Sequence, residues 1–300
     1  MRDGKVSASS CLKSEPSWMV TSKDLIGAHR LRDVFLVGSR DAGAAELDIW
    51  TQLMLGVRFL DVRVTYVAGG AAPFWVDVRD GVGVTPLRAV LSPLRRFLRA
   101  SNEIVLLELA TLRGFEGRSE RHAALVDLLE RRLGDWMAPV SMGSELRLNQ
   151  LWNTGRRLVV TYNHQSRRDS PFLWPPTPVA RHPSRNASEL LDFVDGLMTR
   201  APYPYNWTIE TCLDEDADLA ERAAAARELT ARLRHRWWER ANIVTVCDVL
   251  ATDLVDVAIR SNARRQRCRL EAATWRPSTA PPPTTPPPVW RGPRTLAHLP

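Results

Sequence analysis

The chain predicts an α/β protein in which a parallel sheet is covered by helices. Two observations carry this: short apolar runs alternate along the chain with longer helical stretches, and 300 residues at 44% hydrophobic and 25% charged suit one large domain with a full core better than two small ones. The expected strands are 34–38, 57–64, 74–79, 104–109, 157–162, 205–210 and 243–248. The expected helices are 45–55, 87–99, 119–133, 187–199 and 217–240. An open doubly wound sheet fits this alternation almost as well as a closed barrel, so the pattern by itself leaves the architecture open.

Taken in order, the first strand is the apolar run that starts at Val34, breaks at Gly38 and places Ser39, Arg40 and Asp41 at its C-terminal end. The segment from Gly56 to Val67 reads as a buried strand, and its period of two puts Asp61 and Arg63 on one face. An acid and a guanidinium sharing a strand face make a candidate site. Phe74 opens the next strand, which ends in the pair Asp80-Gly81. Asn102-Glu-Ile-Val-Leu-Leu-Glu-Leu109 carries Glu108 near its end, Arg156-Arg-Leu-Val-Val-Thr-Tyr162 ends in an aromatic, and Asn242-Ile-Val-Thr-Val-Cys-Asp-Val249 carries Asp248.

The net charge of +7 favours anionic partners such as a membrane surface. Its arginines, among them Arg95, Arg96, Arg131, Arg132, Arg232 and Arg234, are scattered along helices as solvated faces are, and no nucleic-acid partner is expected. Cys11, Cys212, Cys247 and Cys268 match no Cys-x-x-Cys metal or redox pattern and read as reduced thiols. The first ten residues hold no apolar signal region and no stretch is long and apolar enough to span a bilayer, so a cytoplasmic protein is expected, with the Asn186 and Asn206 sequons due to chance. Residues 1–16 form a small polar segment, 17–271 the domain, and 272–300 a proline-rich disordered tail. Pro281-Pro-Pro-Thr-Thr-Pro-Pro-Pro-Val-Trp290 could offer polyproline II turns to an SH3- or WW-type module, although a solvated tail is the commoner reading.

Taken together, the strand ending Gly38-Ser-Arg-Asp41 and the run Gly56-Val-Arg-Phe-Leu-Asp-Val-Arg63 resemble the start of a phosphatidylinositol-specific phospholipase C X domain. That family's pattern is Gly-Ser/Thr-His-Asp followed by Gly-x-Arg-x-Leu-Asp-x-Arg. The resemblance covers about residues 17 to 260. It includes Ser17-Trp18-Met19, the Thr51-Gln52 helix, Phe115-Glu-Gly117, and Leu146-Arg-Leu-Asn-Gln-Leu-Trp152 leading into the strand that ends at Tyr162. It implies a (β/α)8 TIM-type barrel with functional residues at the C-terminal strand ends, where Arg40, Asp41, Arg63, Asp80 and Glu108 would converge.

Both histidines that the family uses in catalysis have no counterpart in this sequence. Arg40 stands at the position of the base that takes the proton from the inositol 2-hydroxyl, and a guanidinium stays protonated at any usable pH. Asp80 stands where the histidine acid would serve the leaving alkoxide, and none of the chain's six histidines lies at either place. The resemblance assigns Arg63 to the phosphate in the manner of calcium-independent members, so no metal or cofactor is expected. It has Asp61 orient Arg63 or the nucleophilic hydroxyl, Asp41 the residue that would have held the acid, and Asp248 the acidic partner of position 40; Glu108 and Tyr162 join Arg63 as headgroup contacts, Tyr162 by stacking on a sugar ring. The Pro-rich stretch Trp174-Pro-Pro-Thr-Pro178 falls where the family has a loop near the mouth, and Arg181-His-Pro-Ser-Arg185 replaces its Trp-x-x-Asn.

Three functions remain open at this point. The first is a catalytically impaired barrel that still binds a phosphoinositide or other anionic headgroup, peripheral to a membrane. The second is an active calcium-independent phosphodiesterase that uses Asp80, and the third is a scaffold acting through the tail. The alternative for the charged residues themselves is a buried ion-pair network that only ties strand ends together, and for Tyr162 and Trp152 a place in the core.

Overall fold

A computed structural model describes residues 14–69, 72–77, 83–214 and 217–274. Eight of its strands run parallel: β1 (Leu36–Ser39), β2 (Phe59–Tyr66), β5 (Val105–Arg113), β6 (Leu158–Tyr162), β7 (Leu173–Trp174), β8 (Val179–Ala180), β9 (Thr208–Glu210) and β10 (Ile243–Val246). They pair in the order β7-β6-β5-β2-β1-β10-β9-β8, a curled sheet whose two edge strands do not pair with each other. The expected TIM-type barrel is therefore present with one open seam. The remaining two strands, β3 (Phe74–Asp77) and β4 (Gly83–Pro86), correct the sequence reading: β3 runs antiparallel to β2, and the two extend the sheet as a side hairpin rather than as a barrel stave.

Helices cover the outside of the sheet and start where the sequence offers a cap. Asp48 accepts the Thr51 amide at 2.7 Å ahead of α3 (Ile49–Met54), Asn186 the Glu189 amide at 3.0 Å ahead of α7 (Ala187–Met198), and Asp218 the Glu221 amide at 2.7 Å ahead of α8 (Leu219–Arg232). The other helices are α1 (Trp18–Thr21), α2 (Lys23–Ile26), α4 (Arg88–Ala100), α5 (Ser119–Leu133), α6 (Leu148–Thr154) and α9 (Leu254–Thr274). Among the described residues no helix is long and apolar enough to cross a membrane.

Strand alternation divides the core in two. Outward-facing Val37, Leu60, Val62, Leu107, Val160, Ile209 and Val244 pack beneath the helices with Leu94, Leu125, Val194 and Leu229. Leu36, Phe59, Leu106, Val159, Ile243 and Trp174 fill the N-terminal half of the barrel interior. Gly38 faces that interior, where a Cβ would come within 2.8 Å of both Phe59 and Thr245, so only glycine allows β1, β2 and β10 to close on one another here.

Beneath the barrel, the fully buried Arg58 and Glu103 pair at 2.7 Å. Arg58 also donates to the Leu53, Val57 and Pro16 carbonyls, and Glu103 accepts the Met19 and Val20 amides. Every polar atom that the pair brings inside has a partner, which is what makes a buried ion pair tolerable. It fastens the segment before β1 to the barrel floor.

The cysteine expectation is overturned at one pair. Cys212 and Cys247 form a disulfide rather than two reduced thiols, because adjacent parallel strands bring residues 35 apart in sequence to a Cα separation of 5.7 Å at the ends of β9 and β10. Cys268 is a free thiol, and α9 carries the helix through Thr274, three residues into the expected disordered tail, while Cys11, Asp80 and residues 275–300 lie outside the described residues. Disulfides of this kind belong to oxidising compartments, so the thiols no longer support a cytoplasmic setting. Closing a loop of 35 residues contributes on the order of 3–4 kcal/mol. The Cys212→Ser/Cys247→Ser double variant is expected to lose about that much in urea unfolding, and an unchanged midpoint would contradict the bond.

Candidate active site

Above the apolar layer the same alternation turns polar. Asp61, Glu108 and Thr161 occupy one rung of β2, β5 and β6, and Glu210 pairs in register with Thr245 on β10. Two residues beyond Gly38, Arg40 projects into this layer with only 8% of its side chain exposed. An extra residue in β5, Ala110, bulges opposite the step from Val62 to Arg63 and sets Arg63 at the mouth, 12% exposed.

Ion pairs link these side chains. Arg40 Nη1 meets Glu210 Oε1, and Arg181 Nε reaches the other oxygen of the same carboxylate at 2.5 Å. Arg63 Nε lies 2.5 Å from Asp41 Oδ1, and Arg40 Nε lies 3.6 Å from Asp41 Oδ2. Asp41 reaches both arginines from a left-handed backbone, φ 48°, a conformation that aspartate tolerates better than most residues. Ala42 then donates to the Asp61 carbonyl at 2.8 Å and fixes the turn over β2.

Two carboxyls lie deeper. Burial pushes Asp61 up to about 7, assisted by the negative charges of Asp41 and Glu108 and only partly opposed by Arg63; its Oδ1 is sealed from solvent and accepts no hydrogen bond. Glu108 is also raised by burial, against the pull of its hydrogen bonds from Thr161 Oγ1 and the Thr177 amide. That amide belongs to the Trp174-Pro-Pro-Thr-Pro178 segment, which spans the open seam between β7 and β8 and reaches in to Glu108. At the mouth the guanidiniums of Arg40, Arg63 and Arg181 face the acids of Asp41 and Glu210. Among the described residues no three His, Cys, Asp or Glu side chains form a metal-ligand set.

Arg40, Asp41, Asp61, Arg63 and Glu108 thus lie together at the mouth, Asp80 falls outside the described residues, and Tyr162 and Asp248 lie elsewhere. Tyr162 does not face a substrate: it follows inward Thr161 by one residue, so it points out of the barrel, fully buried, and its hydroxyl bonds His122 Nδ1 at 2.8 Å. Burial pushes its phenol up. Asp248 is exposed, accepts the Leu250 amide at 2.8 Å, and lines a groove of about 330 Å³ between the ends of β1, β9 and β10 and helix α8. The acid against Arg40 is Glu210 instead, because β10 ends before Asp248 while β9 still points Glu210 inward. Glu210 and Arg181 were missed; the alternation of Trp207-Thr-Ile-Glu210, with apolar Ile209 facing out, was the available signal for the first. Of the histidines, His29 bonds Gln266, His164 stacks on His122 and His182 meets Phe193.

No protein-family model matches the chain. PI-PLC X domain-containing protein 1 of Homo sapiens is 33% identical over 135 residues, covering 44% of this chain and 40% of that protein. PI-PLC X domain-containing protein 3 of Danio rerio is 29% identical over 140 residues, 43% and 39% of the two chains. The matches therefore span about two fifths of these relatives' own length. Two structures of the phosphatidylinositol-specific phospholipase C of Staphylococcus aureus superpose with TM-scores of 0.66 and 0.61 at 15% and 16% identity, covering 84% of this chain and 98% and 99% of theirs. At that identity they bear on the fold alone. Over about two fifths of its length the chain is thus similar to PI-PLC X domain-containing proteins, and its fold is the TIM-type barrel of the phospholipase C structures.

Proposed function

We propose that the barrel mouth is a phospholipase C-type headgroup pocket that holds a phosphate-bearing lipid headgroup with little or no turnover. The observation that carries this reading is the state of Arg40: a buried guanidinium, clamped by Glu210 and beside Asp41, stands where the resemblance calls for a proton acceptor. A guanidinium cannot take the proton of an attacking hydroxyl, and a general base contributes roughly a hundredfold to ten-thousandfold in rate. Arg63, at the mouth and oriented by Asp41, supplies the cation for a phosphate. Buried Asp61, protonated near neutrality, presents a hydroxyl donor to a phosphoryl or sugar oxygen instead of a repelling charge.

The test is release of cyclic inositol phosphate from phosphatidylinositol vesicles. Wild-type protein is expected to release almost none, and the Arg40→His/Asp80→His variant to release it, because Glu210 would then orient an imidazole at position 40. Arg63→Ala on that background should abolish the gain. Equal activity in wild type and variant would contradict impairment, and silence in both would move the function away from the pocket.

One observation favours a second reading, slow phosphodiesterase activity with Asp61 as the proton acceptor: a carboxyl held at about 7 is matched to base catalysis at neutral pH. Activity would then rise with pH through about 7 and vanish in Asp61→Asn. The same group sets a stability trend. With a folded value of about 7 against 3.8 unfolded, Asp61 has no effect where both states are protonated, below about pH 4, and weighs against the folded state as pH rises to 7. Relative to Asp61→Asn, wild type is expected to lose a few kcal/mol between pH 4 and 7 in urea unfolding; a difference that stays constant over that range would contradict the burial of this acid.

A further inference from the structure

Outside the barrel mouth, one concentration of positive charge lies between α4 and α5. These helices pack side by side and leave a groove of about 490 Å³ lined by Arg88, Ser92, Arg95, Arg96 and Arg99 of α4 and by Arg132 of α5. Residues 88, 92, 95 and 99 fall on one face of α4 by helical period, so the arginines line one wall together. No carboxylate lines the groove. The acids of α5 on this stretch are occupied elsewhere: Asp127 pairs with Arg131, and Glu130 accepts from Ser170. Among the described residues none of the five arginines makes an ion pair; Arg96 lies over the Trp50 ring at 4.2 Å.

Five like charges held in one concavity repel one another, and Arg95 adds a second cost, because its Nε is sealed from solvent without a hydrogen-bond acceptor. What the groove lacks is a compact acceptor with several negative charges. Its volume is that of a small-molecule site, and planar guanidinium forks match the paired oxygens of a phosphate better than a flat surface contact requires. Arg88, Arg96, Arg99 and Arg132 are exposed, as on a solvated face; the sealed Nε of Arg95 is the feature such a face does not account for.

We propose that the α4–α5 groove is a second anion site, separate from the barrel mouth, that takes a multiply charged phosphate group. Such a group can come from a soluble polyphosphate ester or from a phosphorylated lipid headgroup. Two arms distinguish the sources: calorimetric titration of the full chain with tripolyphosphate, and co-sedimentation with phosphatidylcholine vesicles with and without phosphatidylinositol bisphosphate. Either probe should bind wild type and lose about tenfold or more in affinity for Arg95→Glu/Arg99→Glu, and the part of the binding that this variant loses should persist in Arg63→Ala. Arg95→Gln/Arg99→Gln, which keeps size and removes charge, should show the same loss and guards against a folding failure of the reversal. Binding that both double variants retain, or that Arg63→Ala removes, would overturn the site. Citrate competing as well as tripolyphosphate would overturn its assignment to phosphate.

Discussion

Arg40 points into the barrel because Gly38 does, and that single consequence of strand alternation organises the mouth. A guanidinium driven into a space with 8% exposure needs carboxylates, and Glu210 and Asp41 provide them from the end of β9, beyond β10, and from the turn after β1. Glu210 in turn draws in Arg181, and Asp41 holds Arg63, so four elements of the rim are cross-linked through charge. The negative charges so collected bear on Asp61, which with its burial keeps that acid protonated far above its usual range. The chemistry available at the mouth follows from one residue's occupancy of one inward position.

The lower half of the barrel explains why this charged layer can be held in place. Leu36, Phe59, Leu106, Val159 and Ile243 form a dry floor beneath it, and the Arg58–Glu103 pair locks the entering segment under that floor. Breaking such a pair by removing one partner costs about 3–5 kcal/mol. At the top, the Cys212–Cys247 bond fixes the ends of β9 and β10 just beyond Glu210. The position of Glu210 is thus set by covalent and hydrogen-bonded constraints, with Thr211 bonded to the Thr245 carbonyl, rather than by Arg40 alone.

The class of fold was legible in the alternation of apolar runs and helical stretches, and the period of two placed Asp61 and Arg63 on one face; the gathering of Arg40, Asp41, Arg63 and Glu108 at one rim was an expectation from the family resemblance. What escaped was set by tertiary context. Strands β7 and β8 are two residues each and carry no periodic signal. Helix α9 was invisible for another reason: its buried stripe of Leu254, Val257, Ala258, Ser261, Asn262 and Arg265 turns polar halfway, with Asn262 bonded to Phe35 and Arg265 to the Trp238 and Ala241 carbonyls. The disulfide was hidden because only strand order brings its cysteines together. Tyr162 could have been read correctly by applying to β6 the alternation already used for β2, since Thr161 and Tyr162 cannot both face inward.

The central claim is that position 40 is an ion-pair anchor and not a proton acceptor. A double-mutant cycle on Arg40→Met and Glu210→Gln, followed by urea unfolding, tests it directly. If the pair is as described, each single variant takes from a buried charge its nearest partner, leaving Arg181 on Glu210 or Asp41 beside Arg40, and is destabilised, while the double variant is less destabilised than the two together, with a coupling of about 1 kcal/mol or more. Additive effects would mean that Arg40 and Glu210 do not hold each other, and the account of the mouth would fall with them.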